Sequence, residues 1–134
     1  MSREPAAIAE AFVRAISSQD VGAISDLMTA DHAFVDSDGT EIRGKERMRA
    51  AWAQYFQMFP DYGIKVQETY SRDQVVILVG TAEGTYAVDG ELLAENHWSV
   101  PAVWRAVAGD DALLEWRVYV NVEPIVKIVA KHQK

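Results

Sequence analysis

Apolar residues recur at every fourth position near the start of the chain. Ile8, Phe12 and Ile16 share one face, which predicts an amphipathic helix over roughly residues 4 to 18. Ser2 is placed to act as its N-cap. Pro5 suits the first helical turn, where its missing N–H costs little.

Two further helices and a strand follow in the first half. Asp20 is the predicted N-cap of a short helix whose shared apolar face comprises Val21, Ile24, Leu27 and Met28. Residues 33 to 36 alternate as a strand, and residues 37 to 40 form its turn. The segment from Lys45 to Phe59 has a broad aromatic face and ends at Pro60, which cannot continue a helical hydrogen-bond ladder.

After residue 61 the chain becomes rich in β-branched and aromatic residues. Four strands are predicted, at residues 62–70, 74–88, 97–107 and 113–122. Turns at 72–73, 89–90 and 109–111 separate them in the way that consecutive antiparallel strands require. Helices followed by a meander define an α+β class, and the length favours one domain over residues 1–134.

Composition narrows the possible partners. The chain is 49% hydrophobic, enough to bury a core, and its net charge of −7 disfavours nucleic acid and anionic membranes. It has no cysteine, which excludes disulfides and thiolate metal sites. The first residues lack the apolar run of a secretory signal, and residues 75–80 are too few to span a bilayer. A cytoplasmic protein is therefore expected.

Four local motifs together resemble the NTF2-like superfamily, in particular its SnoaL-like and ketosteroid-isomerase-like branch. The motifs are residues 28–36 with 42–46, Phe59-Pro60-Asp61, Gly84-Thr85-Tyr86, and residues 115–119 (Glu-Trp-Arg-Val-Tyr). Matches run from about residue 5 to 125. The resemblance implies three N-terminal helices packed on a strongly curved, mostly antiparallel β-sheet, with a cone-shaped pocket for a small molecule between them.

Alternation along the strands predicts which side chains face that pocket. On the last strand one face is apolar, and the resemblance places this face inside. The same resemblance places Gly80 and Ala82 inward on the strand at 74–88 and Ala102 inward on the strand at 97–107. These small residues leave room for a ligand, although Pro101 could introduce a bulge that shifts the count. The predicted ligand-binding residues are Phe34, Trp52, Tyr55, Phe56, Tyr86, Asn96, Trp98, Ala102, Trp104, Trp116, Val118 and Val120.

Three activities known in the resembled family can be compared with this chain residue by residue. Asp36 matches the base of ketosteroid isomerases, but the two oxyanion-stabilising donors fall on Ala15 and Ala102. The Asp-Arg-Asp relay of limonene-epoxide-hydrolase-like enzymes falls on Gly80, Ala82 and Val118. The acid–base Asp of SnoaL-like cyclases also falls at about Val118. None of the three mechanisms carries over.

Asp36 remains as the predicted catalytic residue, a general base with Tyr86, Asn96 or His97 as polar neighbours. The alternative is that Asp36 only caps the turn that follows it. Strict alternation directs His97 away from the pocket. No set of His and carboxylate residues has metal-ligand spacing, so neither a metal nor a cofactor is expected.

Two kinds of function follow. The first is a cofactor-independent enzyme, an isomerase, cyclase, lyase or hydrolase, that acts on a polyketide- or terpene-like ring by proton transfer, as in a cyclisation or isomerisation. The second is a non-catalytic ligand-binding or accessory domain, and a protein-interaction module is a weaker third. The outer face of the sheet, with Arg105, Arg117 and Tyr119, predicts a homodimer. The basic C-terminal residues are expected to form a solvated tail: Lys127, Lys131, His132 and Lys134.

Overall fold

Three helices precede most of the sheet in the computed structural model, which describes residues 3–133. The predicted α+β class, with three N-terminal helices against a mostly antiparallel sheet, is confirmed. The elements are α1 (Pro5–Ser17), α2 (Val21–Asp26), β1 (Met28–Val35), β2 (Glu41–Arg43), α3 (Lys45–Met58), β3 (Gly63–Arg72), β4 (Val75–Thr85), a 3-10 turn (Ala94–Asn96), β5 (His97–Ala108), β6 (Leu113–Val120) and α4 (Glu123–Ala130).

The six strands form one sheet in the order β2-β1-β6-β5-β4-β3. Strands β3 to β6 follow one another as an antiparallel meander, and β1 joins its end by pairing in parallel with β6. Strand β2, which the sequence did not predict, pairs with β1 across the short turn between them. The helices cover one face of this sheet and bury its apolar side chains.

The first helix follows the predicted pattern closely. Ile8, Phe12 and Ile16 are fully buried, and Pro5 lies in the first turn. The N-cap position belongs to Glu4, whose side chain makes no capping hydrogen bond. Ser2, the predicted cap, lies outside the described residues.

The second helix begins as predicted and ends earlier than its apolar face suggests. The Asp20 carboxylate accepts a hydrogen bond of 3.0 Å from the Ala23 N–H, which satisfies one free donor of the first turn. The helix ends at Asp26, and Met28 already belongs to β1. Met28 is buried in the core as part of the strand. Its apolar side chain therefore does not indicate that the helix continues to residue 28.

Gly80 does not provide space for a ligand, contrary to the expectation. Strand β3 pairs with β4 here, with Val66 opposite Gly80, and its register is irregular between Val66 and Glu68. A Cβ atom on residue 80 would lie 1.9 Å from the Lys65 carbonyl oxygen. Pro101 introduces no bulge, because the β4–β5 register runs unbroken from Val75 opposite Val107 to Thr85 opposite His97.

The C-terminal residues form a helix where a solvated tail was expected. In α4 the apolar residues Ile125, Ile128 and Val129 pack against the core, whereas Lys127 points to solvent and pairs with Glu123. The expectation was wrong because it weighed the charges and ignored the apolar spacing between them. Lys134 lies outside the described residues. Within residues 3–133, no helix is long and apolar enough to cross a membrane.

Candidate functional site

A cavity of about 600 Å³ opens between α3, the inner face of the sheet and α4. It is partly open to solvent, and its wall is mostly apolar. Strands β4 to β6 provide one side of the wall, and α3 provides an aromatic side. A cavity of this volume and composition is typical of small-molecule sites.

Eight of the twelve predicted ligand-binding residues lie in the wall of this cavity. They are Phe34, Trp52, Tyr55, Trp98, Trp104, Trp116, Val118 and Val120. The three from β6 alternate along the strand, which is why alternation groups them on one face and the resemblance could place that face inside. Asp36, the predicted base, lies in the same wall.

The other four predicted residues lie behind or beside the wall. Phe56 is buried under Trp52, with the two rings stacked at a centroid distance of 5.5 Å. Ala102 is buried opposite Gly80, where β3 already fills the space. Asn96 is buried in the 3-10 turn before β5, and Tyr86 is half-buried just after the end of β4. Neither of these two lies within a strand, so neither takes the inward position that the resemblance implied.

Ala82, which was expected to face inward, also lies in the wall. The wall further contains residues that were not predicted: Ile42, Met48, Ala51, Met58, Phe59, Tyr62, Val100, Val122, Ile125, Val126, Val129, Ala130 and Gln133. Val100 could have been predicted, because it lies two residues after Trp98 on β5 and therefore on the same face of the strand. Tyr62 could not, because it lies between the end of α3 and the start of β3, where no periodicity applies. The last six come from α4 and its flanks.

Asp36 follows the last residue of β1 and is half-buried. Its Oδ1 accepts a hydrogen bond of 2.7 Å from the Ser37 N–H, so the turn-capping interpretation holds for one oxygen. Its backbone also closes the turn, through the Thr40 carbonyl and the Gly39 N–H. The carboxylate is the only charged side chain among the described residues that line the cavity.

Two tyrosines lie close to Asp36 in the cavity wall. The rings of Tyr55 and Tyr62 meet edge to face, 5.0 Å apart. Burial raises the pKa of the Tyr55 hydroxyl above its usual value, and the negative charge of Asp36 adds to the rise. Burial also raises the pKa of Tyr62, with smaller contributions from Tyr55 and Asp36. Both phenols are therefore protonated at neutral pH and can donate a hydrogen bond to a ligand.

The histidines lie away from the cavity wall. His32 is completely buried, and its Nδ1–H donates a hydrogen bond of 2.7 Å to the Leu113 carbonyl. Burial lowers the pKa of His32, which keeps the ring neutral. His97 is exposed, and its Nδ1–H donates to the Thr85 hydroxyl at 2.9 Å. That hydroxyl in turn donates to Asp61.

No group of three or more His, Asp and Glu residues within residues 3–133 is arranged to hold a metal ion. The polar or charged side chains among the lining residues are instead Asp36, Tyr55, Tyr62 and Gln133, together with the tryptophan indoles, of which Trp52 and Trp98 have buried Nε1 atoms without a partner among the described residues. Such a set can bind one polar group of an otherwise apolar molecule and exchange a proton with it.

Comparison with known proteins agrees with this architecture. The family model of the SnoaL-like domain matches residues 9–131. No curated protein matches the chain. A crystal structure of a candidate SnoaL-like polyketide cyclase from Shewanella denitrificans OS-217 superposes with a TM-score of 0.81 at 12% identity, covering 95% of this chain and 97% of the other.

Two further structures are similar over comparable lengths. One is a protein of ketosteroid isomerase-like fold from Catenulispora acidiphila DSM 44928, in complex with trimethylamine (TM-score 0.78, 18% identity, 92% of each chain covered). The other is IdmH, a candidate polyketide cyclase from Streptomyces antibioticus (TM-score 0.77, 16% identity, 96% of this chain and 99% of the other). At these identities the likeness shows the NTF2-like fold alone.

Proposed function

This chain belongs to the SnoaL-like domain family, and on that premise we propose that it binds a small, mostly apolar ring compound and transfers a proton on it. Asp36 is the base in this proposal. The ligand has the character of a polyketide or terpene ring with one carbonyl or hydroxyl group. No cofactor takes part in the reaction.

The observation that carries the proposal is the position of Asp36 as the sole charge in an apolar wall of described residues. Removal of a proton from carbon requires a base held within reach of the substrate and away from competing water. One oxygen of Asp36 is fixed by the Ser37 N–H. That bond orients the carboxylate and leaves its other oxygen available to a ligand.

The tyrosines supply the second requirement of this chemistry. When a proton leaves the carbon next to a carbonyl, negative charge develops on the carbonyl oxygen, and hydrogen-bond donors stabilise it. Tyr55 and Tyr62 lie in the same wall as Asp36 and remain protonated. They take the orienting role that the sequence assigned to Tyr86 and Asn96, which lie outside the wall.

The relatives give independent support. Two of the similar structures are described as candidate polyketide cyclases, and a third holds trimethylamine, a small organic molecule. The fold thus accommodates small molecules elsewhere. The proposal for this chain depends on its own wall residues, since the identities are low.

A test uses two probes. N-phenyl-1-naphthylamine, a neutral apolar dye, reports binding by fluorescence. 1-Tetralone, a bicyclic enolisable ketone, reports proton transfer through exchange of its α-protons in D₂O, followed by proton NMR. The wild type is expected to bind the dye and to accelerate the exchange. Asp36→Asn is expected to keep dye binding and to lose about 100-fold or more of the acceleration.

The matched control is Asp38→Asn, in the same turn but exposed and outside the wall. It is expected to behave as the wild type. Equal acceleration by the wild type and Asp36→Asn would exclude Asp36 as the base. Dye binding without acceleration by any variant would favour the non-catalytic ligand-binding alternative.

A further inference from the structure

The last helix completes the cavity and is only lightly attached to the rest of the molecule. Ile125 and Val129 face the cavity and are half-buried, and Val126 lines it while remaining 56% exposed. No α4 residue is fully buried. An eight-residue helix is unstable by itself in water, so its contacts with the cavity rim decide whether it stays in place.

A polar contact attaches the segment after this helix to the 3-10 turn before β5. His132, two residues after α4, donates from Nε2 to the Asn96 side-chain oxygen at 3.1 Å. The His132 ring also packs on Tyr86, with ring centroids 5.7 Å apart. His132 itself is exposed, whereas Asn96 is only 1% exposed.

Asn96 is a rigid anchor for that contact. Its backbone carbonyl accepts the Tyr86 N–H at 3.0 Å, and its own N–H donates to the Leu93 carbonyl at 2.9 Å. Its side-chain Nδ2 is buried without a partner among the described residues. A buried amide with one group already unsatisfied depends strongly on the bond that remains.

We propose that α4 is a displaceable lid on the cavity, and that His132 is the positioning residue that holds it closed through Asn96. The open state admits and releases the ligand, and the closed state contributes Ile125 and Val129 to the wall. The role in ligand entry rests on the proposed binding function. The attachment of α4 by His132 does not.

Hydrogen exchange measured by mass spectrometry tests the attachment without any ligand. His132→Ala removes the bond to Asn96 and is expected to accelerate exchange of the α4 amides about five-fold, the size expected from loss of one hydrogen bond. His132→Gln places an amide N–H near the same oxygen and is expected to restore slow exchange. Lys131→Ala, an exposed neighbour without a described partner, is the matched control.

Stopped-flow binding of N-phenyl-1-naphthylamine tests the lid. If the dye passes only when α4 opens, His132→Ala raises the association and dissociation rates by similar factors and leaves Kd nearly unchanged. A purely structural role would instead weaken Kd through faster dissociation alone. His132→Gln is expected to return both rates toward those of the wild type.

Unchanged α4 exchange in His132→Ala would overturn the positioning role, and faster exchange with unchanged dye rates would overturn the lid. If the dye binds neither the wild type nor any variant while α4 exchange rises, the proposed ligand function fails and the attachment by His132 stands. The two proposals can therefore fail separately.

Discussion

The Lys65 carbonyl oxygen occupies the place where a side chain on residue 80 would begin, 1.9 Å from an ideal Cβ of Gly80. The contact comes from β3 where it pairs with β4, next to the irregularity between Val66 and Glu68. Both partners are backbone, so neither can rotate away as a flexible side chain could. Gly80 is therefore required by the packing of two strands.

Gly80→Ala is expected to destabilise the protein by about 3 kcal/mol, because β3 must move to admit the methyl group. The free energy of unfolding from urea denaturation measures this. Gly22→Ala is the control, since its added Cβ would meet only Asp20 Oδ1 at 3.6 Å within helix α2. It is expected to leave stability unchanged or raise it by up to about 1 kcal/mol. Equal stabilities of the two variants would contradict the assignment.

Variants at Ala82 and Ala102 distinguish the cavity from the packed core, because only Ala82 lines the cavity. Ala82 lines the cavity, so Ala82→Leu is expected to fill it and weaken dye binding about ten-fold or more with little loss of stability. Ala102 is buried away from the cavity, and Ala102→Leu is expected to cost about 1–3 kcal/mol by overpacking. Dye titration and urea denaturation of both variants give the comparison. Weaker dye binding by Ala102→Leu together with a loss of stability in Ala82→Leu would mean that the cavity lies elsewhere.

His32 makes stability depend on pH. Burial lowers its pKa in the folded state, so below a pH of about 6.5 the unfolded state binds more protons and stability falls. His32→Asn keeps a donor for the Leu113 carbonyl and removes the titration. Its free energy of unfolding should therefore decrease less between pH 7.5 and 5.5 than that of the wild type. The nearby carboxylates Asp31 and Glu115 are present in both proteins. Parallel pH profiles would rule out His32 as the source.

Asp61 connects the end of α3 to the end of β4. Its two oxygens accept the Thr85 N–H and the Thr85 hydroxyl, each at 2.7 Å. Asp61→Ala leaves both donors of the buried Thr85 without this acceptor and is expected to cost about 1–3 kcal/mol. Asp110→Ala, in an exposed turn, should change stability by less than about 0.5 kcal/mol. A similar loss in both variants would argue against the connection.

The sequence predicted most of the elements, because local periodicity decides them. Ile8, Phe12 and Ile16 identify α1 through their spacing, and alternation along β6 identifies the face that lines the cavity. Asp20 identifies the start of α2 because its cap is a local bond. In each case the signal and the structure lie within one turn or one strand.

Features that depend on distant contacts were not predictable in the same way. Tyr62 belongs to the candidate site through its contact with Tyr55 and lies in no periodic segment. Gly80 was assigned to the cavity because its sequence position does not reveal the β3 backbone above it. Helix α4 was missed for a different reason: the apolar spacing of Ile125, Ile128 and Val129 is visible in the sequence, but the charges between them were given more weight.

The parallel pairing of β1 with β6 has a consequence for the time course of folding. His32 and Leu113, joined across this pair, are 81 positions apart in the chain. The hairpins β3–β4 and β5–β6 close short loops, and β4–β5 closes a longer one at residues 86–96, whereas the β1–β6 pair must bring together two segments separated by most of the protein. We expect the meander to form first and the β1–β6 pair to close last. On a ribosome, β1 would then wait unpaired until nearly the whole chain had emerged.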